Sequence, residues 1–200
     1  MASIDKGRIK RKQVFLGYQE SIRGLISSAG VSASTGAGDA PEAEAGALSA
    51  VGLHMDQTTD AHDWYWPIPN DLNQRHPVNF QVVYSSASAT AADDRQWVIL
   101  YDTIAQGAAL ALGTTALDTA IAATTDNGVA NALQLSPTGV MDGNTITEAE
   151  VSAFTLLSIN LVLLLDDASE EMNMYGLYID YMPKRSLGQP STQNSDRGQF

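Results

Sequence analysis

The sequence predicts a mainly β chain folded as an antiparallel β-sandwich, and three observations carry that prediction. The stretch PVNFQVVYSS, residues 77–86, alternates cleanly, with Val78, Phe80, Val82 and Tyr84 on one face and Asn79 and Gln81 on the other. Charged residues make up only 17% of the chain against 44% apolar, and small uncharged residues fill the gap, as suits sheets better than a charged helical bundle. Turn-rich connections separate roughly eight short apolar runs, a number usual for a sandwich. No repeat of 20–50 residues is visible, so propellers and solenoids are not expected.

Taken in order, residues 10–28 place Val14, Tyr18, Ile22 and Leu25 at helical spacing and predict a short amphipathic helix, weakened by Gly17 and Gly24. Residues 30–46, GVSASTGAGDAPEAEAG, have no large apolar side chains to build a core. Extended at ~3.3 Å per residue such a segment reaches ~50 Å, and an arm lying along a neighbouring chain is expected. Short strands follow at 51–55 and 63–68, then the alternating strand 77–86. RQWVILYDTI, 95–104, is apolar on both faces, as a central strand is.

Leu110 and Leu112 suggest a brief strand, and Leu117 and Ile121, four apart, a turn or two of helix. Asp142-Gly143 suits a two-residue type I′ hairpin turn. A long strand is expected within 153–167, where Ser158 and Asn160 alternate with Leu157, Ile159 and Leu161. The last, 176–182, puts Leu177, Ile179 and Tyr181 on one face and ends at Pro183. The expected organisation is an N-terminal arm (1–47), a body (48–183) and a polar C-terminal tail (184–200).

Charge is unevenly spread within a net −12. Residues 1–23 carry Lys6, Arg8, Lys10, Arg11, Lys12 and Arg23 against Asp5 and Glu20, a net +4. Residues 24–183 hold only Arg75 and Arg95 against twenty acids, a net −18. Such a body repels phosphate backbones, so nucleic acid is not an expected partner. A basic segment ahead of an acidic body suits an acidic partner, including a second copy of the body. The longest apolar run, Leu161–Leu165, is far short of the ~20 residues a membrane helix needs. The basic start lacks an apolar stretch before Glu20, so no secretory signal is expected.

Cysteine is absent, which excludes disulfides, thiol nucleophiles and iron–sulfur clusters. The motifs GxSxG, P-loop and HExxH are missing as well. The adjacent acids Asp93-Asp94 and Asp166-Asp167 point to opposite faces of a strand and make poor acid–base pairs. Asp142, Asn144, Glu148 and Glu150 fail the spacing of a calcium loop.

The densest chemistry is HDWYWPIPNDLNQRHP, 62–77. A two-histidine, one-carboxylate metal site could draw on His54, Asp56, His62, Asp63 and His76, though surface histidines explain the pattern more simply. Trp64 and Trp66 share a face and could stack on sugar rings, while burial in a core or an oligomer interface is the commoner fate. No catalytic residue, metal or cofactor is expected.

The order of elements (WYWPIPNDL, PVNFQVVYSS, WVILYDTI, TALDTAI, GLYIDYMP) resembles the jelly-roll decoration, or cement, proteins of tailed bacteriophage heads. That resemblance implies a sandwich of jelly-roll type acting as a virion structural protein: a homotrimer on the outer capsid surface that clamps capsomers. Its partners would be the major capsid protein and copies of itself. The partner-facing residues expected on this reading are Arg8, Lys10, Arg11, Lys12, Phe15, Tyr18, Trp64 and Trp66. The competing expectations are a carbohydrate-binding jelly-roll module of a fibre or spike, using Trp64, Trp66 or Tyr65, and a cupin-like metalloprotein built on His54, Asp56 and His76.

Overall fold

The computed structural model describes residues 10–17, 42–43, 51–55, 61–86, 94–166 and 172–184. They form two antiparallel sheets packed face to face. The first sheet contains β3 (Val51–Met55), β12 (Met172–Tyr181), β5 (Val78–Ser86) and β10 (Gly139–Met141), in that order. The second runs β4 (Ala61–Pro67), β11 (Thr155–Asp166), β6 (Asp94–Ala105) and β7 (Thr115–Ala116). From β3 to β6 the chain changes sheet with every strand, and β11 and β12 return between strands already laid down. That order is the jelly roll, a sandwich with Greek-key connections. Short strands complete the edges: β8 (Thr124–Thr125) on β6, β9 (Gln134–Leu135) on β5, and β2 (Glu42–Ala43) on β3.

Inward residues of both sheets meet in one core. β4 contributes Trp64 and Trp66, β5 Val78, Phe80, Val82 and Tyr84, and β6 Trp97, Ile99 and Tyr101. From β11 come Leu157, Ile159, Leu161 and Leu163, all fully buried. β12 changes register against β5 between Met174 and Gly176. The bulge switches the inward residues from Met172 and Met174 to Leu177, Ile179 and Tyr181, which turns Tyr178 and Asp180 outward.

Four local expectations are corrected. Lys12–Gly17 is not helical; it is strand β1, antiparallel to β12 with Lys12 opposite Tyr181 and Gly17 opposite Gly176. Val14 and Leu16 pack against the core as alternating strand residues, and the free edge of β12 supplies the hydrogen bonds that a Gly-weakened helix would have made internally. Residues 12–17 thus belong to the body, while 18–28, most of the Gly/Ala/Ser-rich segment and the tail beyond Lys184 lie outside the described residues.

Leu110 and Leu112 are in a loop, the strand being Thr115–Ala116. Leu117 and Ile121 form no helix: both are buried, and Thr119 exchanges backbone bonds with Val140 (3.0 and 2.9 Å). Their spacing reflects two core contacts on either side of that bridge. Asp142-Gly143 opens a 3-10 turn, Gly143–Thr145, in which Asp142 Oδ1 accepts from Asn144 N (3.1 Å). Gly143 is needed for close approach, because a Cβ there would lie 2.6 Å from Gln74 O and strike His76 O. Helix α1 (Glu148–Ser152) follows, with Thr147 and Glu150 forming a capping box. Burial alone would raise the Glu150 pKa, but bonds from Thr103 and Thr147 outweigh it and hold the carboxyl below its ordinary value.

Candidate functional site

The outer face of the first sheet carries an exposed aromatic pair set among polar side chains. Pairing places Gln81, Tyr178 and Phe15 in one row across β5, β12 and β1. The next row is Asn79, Asp180 and Gln13, and the row on the other side is Val83, Gly176 and Gly17. With strands ~4.8 Å apart and a rise of ~3.4 Å per residue, the patch measures roughly 10 by 14 Å.

Paired glycines shape it. Gly17 and Gly176 leave the sheet bare, and the Phe15 ring lies over the gap: a Cβ on Gly176 would fall 2.7 Å from Phe15 Cζ and 2.9 Å from Cε2. Gly176 also has φ +155°, a conformation that other residues rarely adopt. The Phe15 and Tyr178 centroids are 5.0 Å apart with planes at 50°, and the side chains stay 44% and 37% exposed. The two rings therefore present part of their faces to solvent on this side of the sheet.

Polar groups frame the rings. Arg11 Nε donates to Asp180 Oδ1 (2.7 Å), and Arg11 Nη2 donates to the carbonyls of Pro77 and Asp180 (2.8 Å each). Gln81 Nε2 donates to Ser136 O (3.1 Å), which fixes the amide beside Tyr178. Gln13 is exposed and Asn79 half-buried. The surface pairs one cation with one anion and is otherwise neutral, combining aromatic faces with amides.

The outer face of the second sheet differs. Ser158 is fully buried there, and Asn160 Nδ2 donates to Asp63 Oδ1 (2.8 Å). Asp102 accepts from Thr114 N (2.8 Å), Thr114 Oγ1 (2.7 Å) and Thr115 Oγ1 (2.8 Å). Tyr65, half-buried, donates its hydroxyl to Ala111 O (3.4 Å). Asn160 Nδ2, Asp102 and the Tyr65 hydroxyl are thus bonded within the chain.

The residues expected to face a partner are scattered. Arg8 and Tyr18 lie outside the described residues, and Lys10 is exposed. Arg11 and Lys12 bind their own body, Arg11 at Asp180 and Lys12 at Asp71 (Nζ to Oδ2, 2.5 Å), a bond that raises the Lys12 pKa. Phe15 joins the aromatic pair.

Trp64 and Trp66 are 1% and 3% exposed, so neither offers a face to a partner or a sugar. Trp64 Nε1 donates to Gly17 O (3.0 Å), its ring meets His62 edge-on at 5.0 Å, and Trp66 lies 5.8 Å from Tyr181. Pairing with β11 turns that face inward. Of the proposed metal ligands, Asp56 and the His54 side chain lie outside the described residues. His62 is buried at the start of β4, and His76 is exposed in the loop beyond its end. Among the described residues no three His, Cys, Asp or Glu side chains converge to hold a metal.

Tyr178 and Gln81 were missed in the sequence although their alternation placed them opposite Ile179 and Val82. What hid them was the reading of Phe15 as helical, which removed their neighbour.

No protein-family model matches the chain, and no curated protein matches it. A solved structure described as "xylan-binding module CBM15" matches over 87% of this chain and 99% of its own length, with TM-score 0.47 and 8% identity. At that level nothing is transferred from it.

Proposed function

We propose that the protein is a binding module whose outer first-sheet face recognises a neutral saccharide. The observation that carries this reading is the Phe15–Tyr178 pair, exposed over Gly17 and Gly176 beside the Gln81 amide and the Arg11–Asp180 pair. Aromatic faces take up the C–H faces of pyranose rings, and neighbouring amides and carboxylates bond to hydroxyls. The Gln81 amide and the Arg11–Asp180 pair are already held in place, so little ordering is lost when a ligand docks. The net charge of −12 disfavours anionic glycans. The role is binding rather than catalysis, and the fold by itself decides nothing between uses.

The test is a panel of soluble neutral and anionic polysaccharides, followed by calorimetry on the best ligand. A neutral glycan should bind, and Phe15→Ala and Tyr178→Ala should each weaken it at least tenfold, about 1.4 kcal/mol, with the fold retained. Absence of binding across the panel, or binding that both variants leave intact, overturns the reading.

A second reading is the virion decoration role, with the major capsid protein as partner. It is favoured by exposed apolar side chains at both ends of the sandwich, Leu110 and Phe154 at one and Val129 and Leu133 at the other, which a saccharide does not need. Proteomics of particles released by cells that carry the gene tests it: stoichiometric recovery with heads supports it, and absence from them removes it.

A further inference from the structure

The 122–135 segment runs over the end of the sandwich where β5 stops and β6 starts. Thr124 pairs with Arg95, and Asn131 N donates to Ser86 O (2.7 Å). Between Ile121 and Ser136 only Asp126 is buried, and its Oδ2 lies 3.2 Å from Arg95 Nη2 in the core. The next two residues, Asn127 and Gly128, are the only Asn-Gly pair in the chain, and Asn127 is exposed.

Local geometry places the Asn127 amide against the Gly128 peptide. Asn127 Oδ1 accepts from Val129 N (2.9 Å), an Asx turn that folds the side chain back over the main chain. Asn127 N donates to Gln134 Oε1 (3.2 Å), which holds that turn in place. Gly128 has φ +72° and no Cβ to obstruct its nitrogen. No backbone carbonyl among the described residues takes the Gly128 N–H. Asn144, also exposed, lacks this arrangement: Thr145 follows it, and Thr145 N is held by Asp142 O (3.1 Å).

We infer that Asn127 is a site of self-modification, at which the folded chain converts its own amide to aspartate and isoaspartate. The Gly128 nitrogen gives its proton to water and bonds to Asn127 Cγ. The carbonyl electron pair moves onto Oδ1, where the Val129 N–H already points and stabilises the negative charge. The Cγ–Nδ2 bond then breaks, and the nitrogen takes up a proton and leaves as ammonia. Water opens the resulting succinimide at either carbonyl, so amide and water become carboxylate and ammonium with no oxidation or reduction. The product puts a negative charge beside Asp126, the residue that ties this segment to Arg95, and isoaspartate also adds a methylene to the main chain there. The inference is independent of the saccharide reading, because Phe15 and Tyr178 take no part.

Peptide mapping by mass spectrometry of the full chain, held at physiological pH and temperature, tests it, with a free peptide of residues 122–134 as the reference. Asn127 should convert at least as fast in the folded chain as in the peptide, with isoaspartate among the products, while Asn144 stays an amide over the same period. Val129→Pro removes the donor to Oδ1 and should slow the conversion at least tenfold with an unchanged circular dichroism spectrum. Gly128→Ala, which crowds the attacking nitrogen, should slow it by a similar factor. An Asn127 that stays intact, conversion slower in the folded chain than in the peptide, or a rate that Val129→Pro and Gly128→Ala both leave unchanged overturns the inference.

Discussion

Each side of the first sheet holds aromatic rings and an Arg–Asp pair, and the same chemistry does different work on the two. Inside, Tyr84 and Trp97 lie 5.7 Å apart, and Arg95 Nη2 sits 3.2 Å from Asp126 Oδ2, both side chains fully buried. Outside, Phe15 and Tyr178 lie 5.0 Å apart, and Arg11 meets Asp180 with about a quarter of each side chain exposed. Inside, the groups hold the fold, and Arg95 with Asp126 ties the 124–131 segment to β6. Outside, the rings stay 44% and 37% exposed, and on the proposed reading they are the contact surface. Burial, and not residue type, separates the two sets.

The largest effects should come from breaking the inner set. Asp126→Ala strands the Arg95 charge in the core and should cost about 3–5 kcal/mol by urea unfolding. Trp64→Ala should cost a similar ~3–5 kcal/mol through the cavity it leaves. If either loses less than ~1 kcal/mol, that interior is not the close-packed one described.

Next comes the support under the outer rings. Gly176→Ala places a Cβ against the Leu16 carbonyl and the Phe15 ring at an unfavourable φ, and should cost about 1–3 kcal/mol. It should also loosen β1, visible as faster amide exchange at Val14 and Leu16. Unchanged exchange there would show that Phe15 does not depend on the glycine pair.

Smaller still, Arg11→Ala should move stability by no more than ~1 kcal/mol, because solvent screens the pair. A loss comparable with that of Asp126→Ala would erase the contrast between the two sides.

At neutral pH the smallest effect should be Tyr84→Phe. Burial first, then Asp126, pushes the Tyr84 pKa up to about 12, with Arg95 partly opposing. A group with a raised folded pKa contributes its full stability below the unfolded value, near ~10 for tyrosine. That contribution declines as pH climbs from there toward about 12. The wild-type protein should therefore lose stability through this window, and Tyr84→Phe should flatten the loss while remaining near neutral at pH 7. Identical alkaline unfolding curves would place the titration elsewhere.

Most strands were legible because alternation is a local property. β5, β6, β11 and β12 each expose their inward set in a few consecutive residues, and a central strand is recognisable by being apolar on both faces. β1 was not legible: Val14 fits a helical period as well as a strand period, and its partner β12 lies more than 160 residues along the chain. The candidate surface was half legible. Phe15 stood out, yet the side chains it joins, Tyr178 and Gln81, meet it only through pairing of three strands.

What the sequence alone determined is the alternation that makes a sandwich, the exclusion of thiol chemistry by the absence of cysteine, and the charge asymmetry between the first 23 residues and the acidic body. It also determined that Trp64 and Trp66 share a face, since neighbours two apart in a strand must. Which way that face points was decided by tertiary structure, because a strand's two faces are equivalent until it pairs. Ladders to β11 turned the tryptophans into the core. The bulge in β12 and its register with β1 turned Tyr178 and Phe15 to the surface, because both depend on contacts between segments that nothing local in the chain relates.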